Sequence, residues 1–566
     1  MNISHRSLAN LLAIATLWFS IPPSVVAQST NRQIGTQFEV TADPTVSRPR
    51  EQPCVVPLFA GYQFAHFSDT TQTFQFTPPS NCSGPWKKVV FEVDFSENGG
   101  VQFDRTASIY LANTNVYFGT TPEPLAVLTN TWHIERDITD YSALLKMPQT
   151  GTIVLGNCTT DCPPPFNTLN GVFTVSANLE FYPAGKDSEH RDRAPDMVLP
   201  LQQTNSGGGI NLPAFLFQPT DQFSTVFTLP TNIERVYLDV VSQSQSTDEQ
   251  WYACFPNDLA SINDVYGCGN TDFRETEIAI DGQPAGIAPV SPWVFTGFLP
   301  DQWVPSPGVQ TLDFVPYRVN LTPFAGSLND GKPHTVSLSV FNDDSYFAET
   351  ASLLLFLDKG SAQVTGALSK NTLGAPNPLV TENLQGTSTV TGTIDVTSDR
   401  RFTISGYVNT SHGKVSTAVQ QHQYFSGTQT INLDTVNFTV LDQNTAVQNK
   451  VSTTTTVSGD DGTEVSHENF SFPINVDLIL PVSSSPFGLT VTTSQKYHDD
   501  KEVTRDGELE RFSSVTNSGQ ATDVSPAKSS QEFTEFDSSG RFYDCKIASK
   551  NNTLTKVSQG CTTHER

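Results

Sequence analysis

Hydrophobic and polar positions alternate along most of this chain. Val89-Val90-Phe91-Glu92-Val93-Asp94-Phe95, Ser108-Ile109-Tyr110-Leu111 and Val172-Phe173-Thr174-Val175 place apolar side chains at period two, the spacing that buries one face of a strand. Val236-Tyr237-Leu238-Asp239-Val240, Thr335 to Val340 and Ser352-Leu353-Leu354-Leu355-Phe356 repeat the pattern. Gly, Pro, Asn and Asp clusters separate such runs by about 8–12 residues, which predicts β-sandwiches or jelly rolls. Helical periodicity is nearly absent; Tyr141-Ser142-Ala143-Leu144-Leu145 reads as one short turn. No short repeat of fixed period is present, so a propeller or solenoid is not expected. The class is all-β.

Punctuation divides the 566 residues. His5 and Arg6, the apolar run from Leu8 to Ile21 and Val25-Val26-Ala27 read as a signal peptide over residues 1–27. The alternative, a membrane anchor, fails on length: Leu11 to Ile21 is too short for about 30 Å of hydrocarbon, and Pro22-Pro23 breaks it. A first jelly-roll domain is expected over 35–183 and a second over 197–358, with the charged stretch Gly185 to Pro195 as linker. All six Trp precede residue 304, and the chain beyond Lys359 is rich in Thr, Ser, Val and Gln. That shift predicts a third, C-terminal β-domain over 360–566.

Composition narrows the class of partner. Lys and Arg number 32 against 58 Asp and Glu, a net charge of −26, while only 16% of residues are charged and 37% are hydrophobic. Such a chain repels phosphate backbones and anionic lipid, so neither nucleic acid nor membrane insertion is expected. The eight Cys fall in four local pairs, Cys54/Cys82, Cys158/Cys162, Cys254/Cys268 and Cys545/Cys561. Proximity favours these pairings as disulfides, and with the leader they imply a secreted protein, extracellular or periplasmic. Zinc at Cys158-x-x-x-Cys162 is the rival, but no second Cys/His pair lies at ligand spacing. No metal or other cofactor is implied, and a monomer is the default.

Candidate chemistry rests on carboxylates. There is no phosphate-binding Gly loop, no His-Glu-x-x-His and no Gly-x-Ser-x-Gly. Two clusters set acid beside arginine: Asp104-Arg105 after Asn98-Gly99-Gly100, and Asp272-Phe273-Arg274-Glu275, with Asp248-Glu249-Gln250-Trp251-Tyr252 upstream. Such neighbours serve equally as structural ion pairs. Facing a substrate, the acid would activate water while arginine neutralises developing charge. Trp251 and Tyr252 either stack on sugars or pack a core.

These segments resemble the almond-type glycoamidases, the peptide-N-glycanase A family. The resemblance runs through Phe103-Asp104-Arg105-Thr106-Ala107-Ser108-Ile109, Thr121-Pro122-Glu123-Pro124, Trp132, Glu135 to Ser142 and Gly171-Val172-Phe173. It continues through Glu249, Trp251-Tyr252, Phe273-Arg274-Glu275, Ile280-Asp281-Gly282, Val294-Phe295-Thr296-Gly297 and Leu321 to Phe324. It closes with Asp330 to His334 and Leu355 to Asp358, so it spans about residues 50–360. Phe103 to Leu111 also resembles a segment of the flavobacterial F-type glycoamidase, whose essential aspartate falls on Asp104. That enzyme's second acid falls on Asn270, an amide here. The F-type likeness implies two adjacent eight-stranded jelly rolls with the site between them.

The resemblance implies hydrolysis of the amide joining Asn to the first N-acetylglucosamine of an N-glycopeptide or N-glycoprotein. Asp104 would activate water or bind the linkage nitrogen, and Arg105 or Arg274 would polarise the carbonyl. Glu275, or alternatively Glu249, would be the second acid. Trp251, Tyr252, Asn270 and Asp272 would contact substrate. The many carboxylates suggest an optimum below pH 6. The rivals are a non-catalytic glycan-binding β-sandwich and a carboxylate-pair glycosidase.

Overall fold

The computed structural model describes residues 39–123, 129–164, 166–184, 193–262, 267–294, 305–480 and 489–561. The signal-peptide reading of 1–27, linker residues 185–192, Pro124 and Phe295-Thr296-Gly297 lie outside them. Strands dominate, as the period-two pattern requires, and the short helical turn is a 3-10 segment, Thr139–Lys146. Among the described residues no helix is long and apolar enough to cross a membrane.

Eight antiparallel strands build the first sandwich: Cys54–Phe64, Thr71–Phe76, Trp86–Glu97, Thr106–Leu111, Thr114–Thr120, Asn130–Asp137, Gln149–Leu155 and Phe173–Pro183. Counted in that order, one sheet runs 1-8-3-6 and the other 2-7-4-5, the order of a jelly roll. Phe91, Val93, Ile109, Ile153, Val175 and Leu179 are fully buried between them. The second sandwich repeats the order. Ala214–Leu216, Tyr346–Leu357, Ile233–Gln245 and Tyr317–Asn320 form one sheet, extended by Met197–Pro200. Phe223–Thr228, Pro333–Phe341, Glu275–Ile280 and Gln283–Pro289 form the other.

The sandwiches abut. Leu312 and Leu354 of the second join the core of the first, and Tyr141 Oη donates to Asp239 Oδ2 at 2.8 Å. Arg318 bridges Asp239 and Asp140 at 2.7 and 2.6 Å. Gly119 lacks a Cβ for a packing reason: one there would lie 2.1 Å from the Leu312 carbonyl oxygen.

The C-terminal region is a single twelve-stranded antiparallel sheet. Two of its strands, Thr389–Thr410 and Gly413–Asp434, each run 22 residues with alternating burial. Its buried face does not have a core of its own: Ile394, Ile404, Phe425 and Val476 belong to the same apolar cluster as Trp251, Phe273 and Leu338 of the second sandwich. A compositional boundary is therefore not a packing boundary here. An N-terminal strap closes the other side. Val40 and Ala42 pack on Tyr543, Cys545 and Ile547, while Arg48 reaches Glu92, Glu135 and Glu180 of the first sandwich at 2.6, 2.6 and 2.8 Å.

All four local cysteine pairings are formed as disulfides: Cys54–Cys82, Cys158–Cys162, Cys254–Cys268 and Cys545–Cys561. The first ties the opening strand of the first sandwich to the loop before Trp86–Glu97, and the last ties strand Phe542–Lys550 to the final 3-10 turn, Gln559–Cys561. Cys82 Sγ lies 3.7 Å from the Phe181 carbonyl oxygen and Cys561 Sγ 3.9 Å from that of Lys546. A disulfide sulfur carries no proton, so these approaches are packing contacts and not thiol hydrogen bonds. With Cys158 and Cys162 joined to each other, their sulfurs are not thiolates, and the zinc alternative for that pair falls away.

Candidate active site

Asp104 and Arg105 occupy the loop that enters strand Thr106–Leu111, at the junction of the two sandwiches. This loop is held from both sides. Arg105 N–H donates to Thr121 Oγ1 at 2.8 Å and its carbonyl accepts from Thr121 N–H at 2.8 Å. The guanidinium donates through Nη2 to Gln102 Oε1 at 2.8 Å, and Gln102 in turn donates to Asn157 Oδ1 at 2.6 Å. Behind the loop Thr106 Oγ1 meets Gln243 Oε1 at 3.2 Å and Gln245 Nε2 at 3.1 Å. Those two glutamines end the longest strand of the second sandwich, and Glu249 follows four residues later. The polar end of one jelly roll is thus seated on the entry loop of the other.

Four carboxyls surround this loop, and all are pushed upward. Burial raises Asp104 to about 6, with Arg105 pulling the other way. Burial, and then the charge on Asp104, raises Glu123 to about 7 and Glu249 to about 8. Glu97 reaches about 9 through burial, with Glu123 adding to it and Arg105 opposing. Asp104 and Glu249 lie close enough for negative charge on one to oppose ionisation of the other. Two acids from different sandwiches are thereby driven apart, an ionised one and a protonated one at neutral pH. Gly171 leaves room for Glu97; a Cβ there would fall 2.1 Å from Glu97 Oε1.

Of the residues singled out from sequence, Asp104, Arg105 and Glu249 meet here. The others do not, each for a physical reason. Glu275 is fully buried and pairs with Arg400 of the C-terminal sheet. Arg274, also fully buried, grips Asp248 Oδ1 through Nε at 3.0 Å and Nη2 at 2.7 Å, and its other donors go to the carbonyls of Gly269, Thr271 and Phe273. It therefore holds Asp248, the residue next to Glu249 in the chain. Trp251 and Tyr252 are 0% exposed; Trp251 packs on Phe425, and Tyr252 Oη donates to the Trp293 carbonyl. They fill a core, the alternative weighed for them from sequence. Asp272 is buried beneath the C-terminal sheet beside Gln429. Asn270, half-buried with φ +62, spends its amide on the Asp343 carbonyl and takes Asn257 Oδ1 on its own N–H.

Glu97, Glu123 and Gln102 belong to the cluster and were not singled out. Glu123 stood within the run Thr121 to Pro124; no spacing signal marks Glu97. Exposed aromatic rings flank the acids. Phe103 and Phe166 meet edge to face at 5.5 Å on the first sandwich. On the second, the half-buried Tyr346 meets the exposed Phe217 at a tilt, with ring centroids 5.7 Å apart; it feels the charge of Glu249 and lies 3.5 Å from Gln245 through its hydroxyl.

Among the described residues, two groups elsewhere have metal-ligating side chains in reach of one another. In the first, Glu92, His133 and Glu135, the guanidinium of Arg48 already occupies two of the carboxylates. In the second, Glu234, Asp358 and His412, Asp358 accepts hydrogen bonds from Ser411 and Gly360, and Glu234 from Arg193.

Fold and site together define a two-jelly-roll protein with a carboxylate cluster at the junction. The model of the family "Peptide N-acetyl-beta-D-glucosaminyl asparaginase amidase A" matches residues 44–372. The Prunus dulcis protein "Peptide-N4-(N-acetyl-beta-glucosaminyl)asparagine amidase A" is 30% identical over 420 residues, covering 70% of this chain and 70% of that one. Recombinant peptide N-glycanase F is similar in structure with TM-score 0.36 and 15% identity, over 54% of this chain and 96% of that one. A glycosylasparaginase from Flavobacterium meningosepticum gives TM-score 0.35 and 15% identity over the same shares. The chain belongs to the peptide N-acetyl-β-D-glucosaminyl asparaginase amidase A family and is an amide hydrolase.

Proposed function

We propose that the protein hydrolyses the amide bond between Asn and the first N-acetylglucosamine of N-glycopeptides and N-glycoproteins outside the cell. The observation that carries this reading is the meeting of Asp104 with Glu249 across the sandwich junction, their carboxyls raised to about 6 and about 8. Asp104, ionised first, takes a proton from water as it adds to the amide carbonyl. Glu249, still protonated, gives its proton to the departing nitrogen as the C–N bond breaks. The products are an Asp-peptide and a glycosylamine. Arg105, its charge facing Asp104 and Glu123, balances the negative charge that develops on the carbonyl oxygen. Phe103 with Phe166, and Tyr346 with Phe217, supply the apolar faces that the buried Trp251 does not.

This assignment alters the expected pH dependence. Whole-chain acidity favours an optimum below pH 6, but the two working carboxyls favour a bell with limbs near 6 and 8. A small Asn-linked glycopeptide and a mass spectrometer test the reaction. The freed peptide gains about 1 Da as Asn becomes Asp; N-acetylglucosamine left on Asn marks a glycosidase, and no change marks a binder. Asp104→Asn lowers the rate by about 10²–10⁴-fold with folding intact. Wild-type turnover in that variant defeats the assignment.

A further inference from the structure

Glu249 does not sit on a strand. It lies between two single 3-10 turns, Ser246–Asp248 and Trp251–Ala253, and such turns have little stiffness of their own. Ser246 enters them at φ +57, a left-handed conformation that a non-glycine residue keeps only when its surroundings impose it. On one side the constraint is Asp248, fully buried, whose Oδ1 is held by Arg274 and whose Oδ2 accepts the Asp344 and Ser345 N–H groups at 2.6 and 2.7 Å.

On the other side it comes from the C-terminal sheet. Gln443 Nε2 donates to the Ala253 carbonyl at 3.0 Å, and Gln429 Nε2 donates to the Cys254 carbonyl at 2.8 Å. Gln443 also donates to Gln429 Oε1 at 2.8 Å, so the two amides form one buried unit. Phe425, on the same strand as Gln429, packs on Trp251 at 6.2 Å and Phe273 at 4.9 Å. Between them the strand comes so close at Gly427 that a Cβ would lie 2.0 Å from Asp272 Oδ2. The family model ends at residue 372, before Gln429 and Gln443.

We propose that the C-terminal sheet is a working part of the amidase centre, with Gln429 and Gln443 as positioning residues that set the turn carrying Glu249. The proposal rests on Glu249 being the second acid. A general acid displaced by about 1 Å can lose about 10²-fold in rate, which is the sensitivity a brace of this kind answers. The two carbonyls it grips lie four and five residues beyond Glu249, through one helical turn.

The test uses the full chain with Gln443→Ala beside Gln421→Ala. Gln421 is buried on the same face of the sheet, and its side-chain nitrogen makes no hydrogen bond. Gln443→Ala is expected to lower kcat about 10–100-fold with KM little changed. It should also move the alkaline limb of the pH profile. Gln421→Ala should leave both unchanged at a comparable melting temperature. Backbone hydrogen exchange over residues 246–254 should rise in Gln443→Ala and not in Gln421→Ala, a readout that does not need turnover. Equal kcat, limb and exchange in the two variants overturn the proposal. If Gln443→Ala does not fold, Gln429→Asn, one methylene shorter, serves in its place with the same outcomes. A wild-type chain with no glycoamidase activity defeats the functional reading, and the exchange arm still decides the brace.

Discussion

Glu249→Gln is the most searching test of the acid pair, because it mimics the protonated form while removing the titration. Burial pushes the Asp104 carboxyl up to about 6, and burial together with the charge of Asp104 pushes Glu249 up to about 8. With Glu249 the weaker acid of the two, replacing it with a neutral isostere is expected to leave the acid limb near its place. The alkaline limb belongs to Glu249 and disappears. Loss of one general acid costs about 10²–10⁴-fold at the optimum, and the residual rate should rise through about pH 6 and then level. The assay is kcat/KM against pH on a short glycopeptide, which reports the free enzyme's ionisations. Mass spectrometry of long incubations captures the slow variant. A bell that keeps its alkaline limb in Glu249→Gln refutes the assignment, as does an acid limb displaced by more than about one pH unit. Either result would transfer the acid's role to Glu123, also raised by Asp104.

Two stability predictions follow from other buried groups. Glu97 is 0% exposed with its carboxyl raised to about 9. Its folded state therefore binds the proton more tightly than the unfolded chain, so its stabilising contribution is complete below about pH 4.5 and is lost as pH rises toward 9. The slope is at most about 1.4 kcal/mol per pH unit, or roughly 3–4 kcal/mol between pH 5 and 8. Urea melts at those two pH values should differ less for Glu97→Gln than for wild type; identical differences would contradict the burial argument. Arg400→Met leaves Glu275 buried without its partner and should cost about 3–5 kcal/mol by thermal or urea melts. A melting temperature equal to wild type would show that Glu275 is not held as described.

The strand alternation, the local cysteine pairs and the Asp104-Arg105 segment were all legible along the chain, since each depends on neighbours in sequence. Val89 to Phe95 declares a buried strand wherever it is placed, and Cys254 and Cys268, like Cys545 and Cys561, are close enough to pair with little chain between them. Asp104 is legible as a candidate because its own segment carries the likeness. The choice between Glu249 and Glu275 was not legible. Both stand in acid-containing segments of the second sandwich, yet one reaches the sandwich junction and the other is enclosed by a sheet whose Arg400 lies 125 residues further on. Trp251 presented the same ambiguity, and only Phe425 packing over it resolves the ring into a core residue. Sequence determines which face of a strand is apolar, because that is a period of two. Which acids share an electric field, and which sheet becomes the far wall of another domain's core, depends on contacts between residues hundreds of positions apart. Those contacts exist only once the two jelly rolls and the long C-terminal strands have docked.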